Sequence, residues 1–527
     1  VGAADGGSSP DIITLGSGND TVWYANGAHF DTADTINGGA GTDSIVVLQA
    51  GTAHSATYTN VSNIESITYT NVNGGTVTAT LADANFVSQT LATVSGIGLT
   101  TALSFTGTAE NDSSVNLTGG TAGDTLIGTD TTTLGDTISG NGGADTIDGS
   151  KGGDILTGGA GADTFDYNAV ADSNSSTKDS ITDYLSGTDK LTITLDYSSL
   201  TTATTITADV TAAKAGKTAV QDSLTGERGQ TVYDTTNSEL WINYNADNLL
   251  TSLDYNIAIN AGATATTTVA DADITWTITG GSGADIITGN VNADTISGGD
   301  GADVITAGAG ADIINLGGGT DTLNSGAGAD IVTMTVDAAV DTIKLQADEL
   351  TTDGTSVDNG SVAVDTLINF LAGANKDKVQ ISLSAIEAMS GVIDLIDPGN
   401  AANSTAAGDT MVVTDGGTGT YNLSGATTSI IVVLQNVGTL AEAGLEDLIE
   451  DNAANDLIAS GAQAVGDAYL LLADDGTDSA LYLVVIGTAI ADNGPIAANG
   501  AQLVKLLTFD GQAAAQSLVA TNFEIIA

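Results

Sequence analysis

The sequence predicts an all-β chain: parallel β-roll or β-solenoid blocks, intervening β segments and few short helices. Three observations carry this. Aspartates recur every nine residues, at Asp285, Asp294, Asp303, Asp312, Asp321 and Asp330. Glycine-rich runs precede them (GGSGAD, GGDGAD, AGAGAD, LGGGTD, SGAGAD). A large aliphatic residue follows two places later, at Ile287, Ile296, Ile305, Ile314, Leu323 and Val332. The pattern is G-G-x-G-x-D-x-U-x, with U aliphatic.

The first half of each repeat reads as a turn. Glycine adopts the positive φ of a tight turn, so Gly281, Gly283, Gly299, Gly301, Gly308 and Gly310 are expected to carry inward carbonyls, as are Gly159 and Gly161 in an earlier array. The x-U-x half runs extended, with U inward and its neighbours outward. Two repeats complete one coil, and coils stack at about 4.8 Å. Asp285, Asp303 and Asp321 then form one column, and Asp294, Asp312 and Asp330 a second, with Asp285 and Asp330 expected at the ends of the array.

Carboxylates at that spacing repel by about 1 kcal/mol per pair in bulk water, and several times more near a protein surface. One aliphatic side chain per strand does not offset this. A hard divalent cation does, because it takes about six to eight oxygen ligands from carboxylates and carbonyls together. The arrays therefore require multiple Ca2+ ions, and are expected to be folded with them and largely disordered without them. Further candidate ligands are Asp11, Asp20, Asp34 and Asp43, then Asp124, Asp136, Asp145, Asp154, Asp163 and Asp179.

The array resembles the RTX (repeats-in-toxin) β-roll of proteins exported by type I secretion, and the chain as a whole is most similar to bacterial surface-layer proteins. The resemblance implies Ca2+ binding and an extracellular, cell-surface location. It says little about activity, because toxins, proteases, lipases and adhesins carry the same roll.

Along the chain, residues 1–46 read as an RTX-like roll with an insertion: Asp11 and Asp20 lie nine apart, Asp34 fourteen further on, and Asp43 nine beyond that. Residues 47–118 alternate apolar residues with Thr and Ser, as a β-solenoid or β-sandwich segment. In 119–193 aspartates fall at steps of 12, 9, 9 and 9 from Asp124 to Asp163, and KDSITDYLSGTDKLTI follows. That stretch resembles the cap closing RTX rolls, where Asp179 and Asp183 are candidate ligands or turn caps. Residues 194–279 form a β segment whose clearest hairpin is TVYDTTNSELWINY. Residues 280–383 hold the long array and a second cap, DTLINFLAGANKDKV. Residues 384–527 read as a C-terminal β-rich domain with a short helix at 441–452, a β region at 467–487 and an end, NFEIIA, that resembles a type I secretion signal. The chain opens at Val1 with half a repeat, which suggests processing or a preceding segment.

Acidic residues number 65 against 10 basic, a net charge of −55, yet 41% of the chain is hydrophobic. It is therefore no solvated polyelectrolyte, and nucleic acid and anionic membranes are unfavoured partners. No apolar run is long enough to span a bilayer. Cysteine is absent, which excludes disulfides and thiolate metal sites.

Catalytic patterns are missing. His29 and His54 are the two histidines and do not form H-E-x-x-H. No serine has the G-x-S-x-G context, and no Walker loop occurs. Trp23, Trp241 and Trp276 are too dispersed to suggest a glycosidase platform.

The expected function is thus non-enzymatic. The first reading is a secreted Ca2+-binding structural protein that self-assembles as a homo-oligomeric lattice or filament, with cell-surface polysaccharide as a further partner. The alternative is the C-terminal portion of an RTX adhesin or carbohydrate-binding protein.

Overall fold

In the computed structural model the D-x-U-x segments become short parallel strands, with U buried and its neighbours exposed or half-buried. Ile287, Ile305 and Leu323 point inward from one ladder, and Ile296, Ile314 and Val332 from the other, all at most 1% exposed. The description covers residues 10–24, 30, 33–49, 54–71, 75–82, 92–200, 202, 204–214, 228–234, 236–245, 254–261, 271–345, 364–372, 376–382, 467–475, 477–486, 501–510 and 522–526. A few further short strands, such as Val412–Asp415 and Ile430–Leu434, complete it. The helix expected at 441–452 lies outside the described residues, as does His29.

Two compact units are present: 1–195 with 207–277, and 196–206 with 278–527. In the first unit one parallel sheet runs in register through Thr21–Tyr24, Ser44–Gln49, Ser66–Asn71, Ala92–Ser95, Val115–Thr118, Thr137–Gly142, Ile155–Ala160 and Asp179–Tyr184. A second runs from His54–Thr57 through Val77–Thr80, Leu103–Gly107, Thr125–Thr129, Thr146–Asp148 and Thr164–Tyr167 to Lys190–Asp196. Across 47–118 the described ladders are parallel and continue the roll.

Among the described residues, the coils from Tyr24 to Leu117 also bury larger side chains. Tyr24, Phe30 and Tyr58 stack at 4.7 and 4.8 Å, and the Tyr58 hydroxyl hydrogen-bonds that of Tyr69. Ile67, Val94, Phe105 and Leu117 are fully buried.

The strand Asp179–Tyr184 is an edge of the roll that would otherwise be open. It is covered by Tyr255–Ala261, which pairs with it in parallel and opens an antiparallel meander through Glu239–Asn243 to Arg228–Asp234. The last two strands form the expected hairpin.

The second unit repeats the two-ladder plan. Ile286–Thr288, Val304–Ala309, Thr322–Ala327, Thr342–Leu345 and Lys378–Ser382 form one ladder, and Phe523–Ile526 pairs in parallel with its last strand. Thr295–Ser297, Ile313–Asn315, Ile331–Thr333 and Asp365–Ile368 form the other, which continues into Ala501–Asp510. That strand is antiparallel to Ser479–Ile486, itself antiparallel to Asp467–Asp474. The 467–487 region is thus a hairpin, and NFEIIA includes a strand of the roll.

Candidate metal centre

Each repeat aspartate is held in its column by the backbone of its neighbour. Asp303 Oδ1 accepts the N–H of Asp285 at 2.7 Å, and Asp321 Oδ1 that of Asp303 at 2.8 Å. On the opposite turns Asp312 Oδ1 accepts from Asp294 at 2.7 Å and Asp330 Oδ1 from Asp312 at 2.8 Å. The pairs are 18 residues apart, the coil length that the spacing predicts.

The columns extend past the nonapeptides. Asp321 donates to Asp341 and Asp341 to Asp377, across 20 and 36 residues. Asp330 donates to Asp365 across 35. Asp330 is therefore an interior member, which corrects its expected place at the array end. Asp285 is the first member of its column, because its Oδ1 accepts the N–H of Thr204 instead.

The first unit uses the same scheme with coils of 18 to 26 residues. One column joins Asp124, Asp145, Asp163 and Asp189; the other joins Asp136, Asp154 and Asp179. At the N-terminus Asp11 donates to Asp34 and Asp20 to Asp43 across 23 residues, so the insertion lengthens the coil without shifting its register. Asp43 then donates to Glu65 Oε2, where glutamate replaces aspartate. Asp183 caps the turn instead, accepting the N–H groups of Gly158 and Gly159.

The second carboxylate oxygen is hydrogen-bonded in some column members and unpartnered in others. In these first members it is taken: Asp285 Oδ2 accepts from Gly281 N–H, Asp294 from Asn290, Asp124 from Gly120 and Asp136 from Thr129. At last members Asp189 accepts from Leu185, Asp377 from Leu371 and Asp365 from the Ser325 hydroxyl. In Asp303, Asp312, Asp321, Asp330, Asp145, Asp154 and Asp179 it is buried without any hydrogen-bond partner, as it also is in Asp11 and Asp43. Buried carboxylate oxygens without partners are strongly unfavourable, and a cation is the partner that suits them.

Glycine makes room beside these oxygens. A Cβ on Gly298 would lie 2.7 Å from Asp303 Oδ2, and one on Gly149 2.4 Å from Asp154 Oδ2. Gly299, Gly301, Gly308, Gly310, Gly159 and Gly161 have positive φ, as expected for the turns, whereas Gly281 and Gly283 do not. Among the described residues no group of three or more His, Cys, Asp or Glu converges on one point. A cation here would draw on one or two carboxylates and the turn carbonyls, consistent with a hard oxygen-ligand ion.

Burial lifts these carboxyls above the usual range, to about 6 in Asp303 and Asp321 and about 7 in Asp312 and Asp145. The N–H donated to Oδ1 opposes the rise, and the charge of the preceding aspartate in the column adds to it. Burial also raises Asp330 and Asp154, with further upward pushes from Asp365 and Asp136 respectively.

Asp189, Asp341, Asp365 and Asp377 are column members absent from the sequence-derived candidates. A signal existed: each lies one or two residues before a buried apolar position, and three fall in the cap-like stretches.

A family model described as peptidase M10 serralysin C terminal matches residues 1–271, just over half of the chain. A second, the RTX calcium-binding nonapeptide repeat (4 copies), matches residues 277–305 and 297–332. No curated protein matches the chain. RTX nonapeptide repeats bind multiple Ca2+ ions, and both matched regions are non-catalytic parts of serralysin-like proteins.

Proposed function

The chain belongs to the peptidase M10 serralysin C-terminal family, and from that premise we propose that it is a calcium-locked scaffold that assembles with copies of itself at the cell surface, as a lattice or filament subunit. Its RTX repeats mark a secreted calcium-binding protein. The observation that carries the proposal is the set of buried second oxygens along the aspartate columns. We assign these oxygens, with carbonyls of the glycine turns, as the Ca2+ ligands.

Ca2+ is scarce inside cells and millimolar outside, so sites with Kd about 10⁻⁴–10⁻³ M fill after export. A tenfold-saturated site adds about 1.4 kcal/mol. A handful of such sites supplies the typical stability of a domain. Assembly is supported by the outward faces of the second unit. Ile286 pairs with Val304, and Ile313 with Ile331, all 43–54% exposed on sheets whose carboxylates lie at the turns. No helix among the described residues is long and apolar enough to cross a membrane.

The test is electron microscopy with light scattering of the purified chain in Ca2+ and in chelator. Sheets or filaments forming only with Ca2+ support self-assembly. Persistent monomers at high concentration in Ca2+ overturn it and favour the adhesin reading.

A further inference from the structure

The first unit carries an uncharged sheet face. Its eight strands from Thr21–Tyr24 to Asp179–Tyr184 keep one register throughout. Outward positions across them therefore fall into two continuous files. One runs from Thr21 through Thr93 and Thr137 to Ser180; the other, two residues further along each strand, runs from Trp23 through Thr118 to Thr182. Only Asn116, Ile155, Trp23 and Val46 depart from Ser or Thr in these files, and no position is charged. The residues between them, such as Val22, Val94 and Leu117, are buried, so the files face outward.

We propose that this face binds a neutral polysaccharide chain laid along the files. Three observations carry this. Rungs about 4.8 Å apart over seven steps give a strip about 34 Å long, with files about 7 Å apart; the rung spacing is comparable to one pyranose unit of an extended chain. The hydroxyls of Thr68, Thr93, Thr118 and Thr137 make no side-chain hydrogen bond among the described residues, which leaves donors and acceptors for sugar hydroxyls. Trp23, 44% exposed on the strand Thr21–Tyr24, offers an aromatic surface for a sugar ring.

Charge selects the class of polymer. The chain as a whole carries −55, which repels polyanions, and the strip holds no carboxylate for a polycation. The opposite face of the same unit differs, because Asp166 and Lys190 stand half-buried in its outward positions. The strip is too narrow to supply the about 800 Å² per partner of a standard protein interface, so a slender polymer suits it better than a second copy.

The proposal rests on the cell-surface reading only for where such a polymer is met. The test is co-sedimentation of the full chain, in Ca2+, with microcrystalline cellulose, chitin and calcium-alginate beads, with assembly followed separately by light scattering. Retention on cellulose or chitin is expected. It should fall at least tenfold in Thr93→Lys/Thr118→Lys and several-fold in Trp23→Ala, while Thr146→Lys on the opposite face retains it. Circular dichroism in Ca2+ selects variants that remain folded. Retention on neither neutral polymer, retention on alginate alone, ice shaping without polymer retention, or equal loss in Thr146→Lys overturns the proposal. Assembly without retention overturns it and leaves the lattice reading standing. Retention by monomers supports it while the lattice reading fails.

Discussion

Asp303 accepts the backbone N–H of Asp285 with one carboxylate oxygen, at 2.7 Å, while its other oxygen is buried with no partner. The two oxygens therefore do different work, and substitutions can separate them. Asn at 303 keeps an acceptor for the coil before it but removes the charge. Ala removes both, leaving a buried N–H unpaired at about 1–3 kcal/mol. Asp303→Asn is expected to raise the Ca2+ midpoint of β-structure formation several-fold, and Asp303→Ala further still. Calcium titrations followed by circular dichroism check the order; equal midpoints for the two variants contradict the division of labour.

Position within a column sets the size of the effect. Asp330 has a free second oxygen and a following neighbour in Asp365, whereas both oxygens of Asp285 are hydrogen-bonded. Asp330→Asn should therefore cost more Ca2+ affinity than Asp285→Asn, and isothermal calorimetry should show fewer ions bound only for the former.

The metal-free protein should respond to acid in an unusual direction. The folded carboxyls of Asp303 and Asp321 sit at about 6, and those of Asp312 and Asp145 at about 7, against an ordinary value of 3.8. The metal-free fold thus binds more protons than the unfolded chain. Its stability from these groups is fully present below about pH 4 and is lost as pH rises through 6 to 7. Acidifying metal-free protein from pH 8 to 5 should increase its β signal, while the Ca2+ midpoint at pH 5 should exceed that at pH 7.5, because protons compete for the ligands.

Close backbone approach makes the turn glycines unequal. Gly319 has φ +139, and a Cβ there would lie 1.4 Å from the Gly301 carbonyl oxygen, whereas Gly16 has nothing within 4 Å. Gly319→Ala should abolish Ca2+-induced folding of the long array, and Gly16→Ala should leave it unchanged. Limited proteolysis in Ca2+ distinguishes them.

Calcium removal should not unfold every coil equally. The described coils between Val61 and Thr118 are held by Ile67, Val94, Phe105 and Leu117, with Tyr69 bonded to Tyr58. Hydrogen exchange in chelator should remain slow in Ser66–Tyr69 and Val115–Thr118 while Val304–Ala309 exchanges freely. Uniform exchange would show that these coils also depend on the metal. Survival there would narrow the expectation of general disorder to the arrays.

The long array was legible because its spacing is constant: nine residues fix both the columns and the buried Ile287 and Ile296. Continuation through Asp341, Asp365 and Asp377 was hidden by coils of 20, 35 and 36 residues, since periodicity vanishes when a loop intervenes. The hydrogen bond to Oδ1 was also invisible, because it joins the side chain of one coil to the backbone of the previous one. Sequence reasoning saw only repulsion between carboxylates that the backbone in fact helps to hold. Likewise the pairing of Ile257 with Asp179 follows from tertiary docking rather than local pattern. The files on the neutral face emerge only when residues some twenty positions apart are brought side by side.

Shared rungs have a thermodynamic corollary. Because every interior aspartate fixes the amide of the preceding coil, placing one ion orders the cradle for the next, and the ladder closes like a zip fastener. Occupancy should then switch over a narrow window of concentration, giving the exported chain a sharp threshold rather than a graded response to its surroundings.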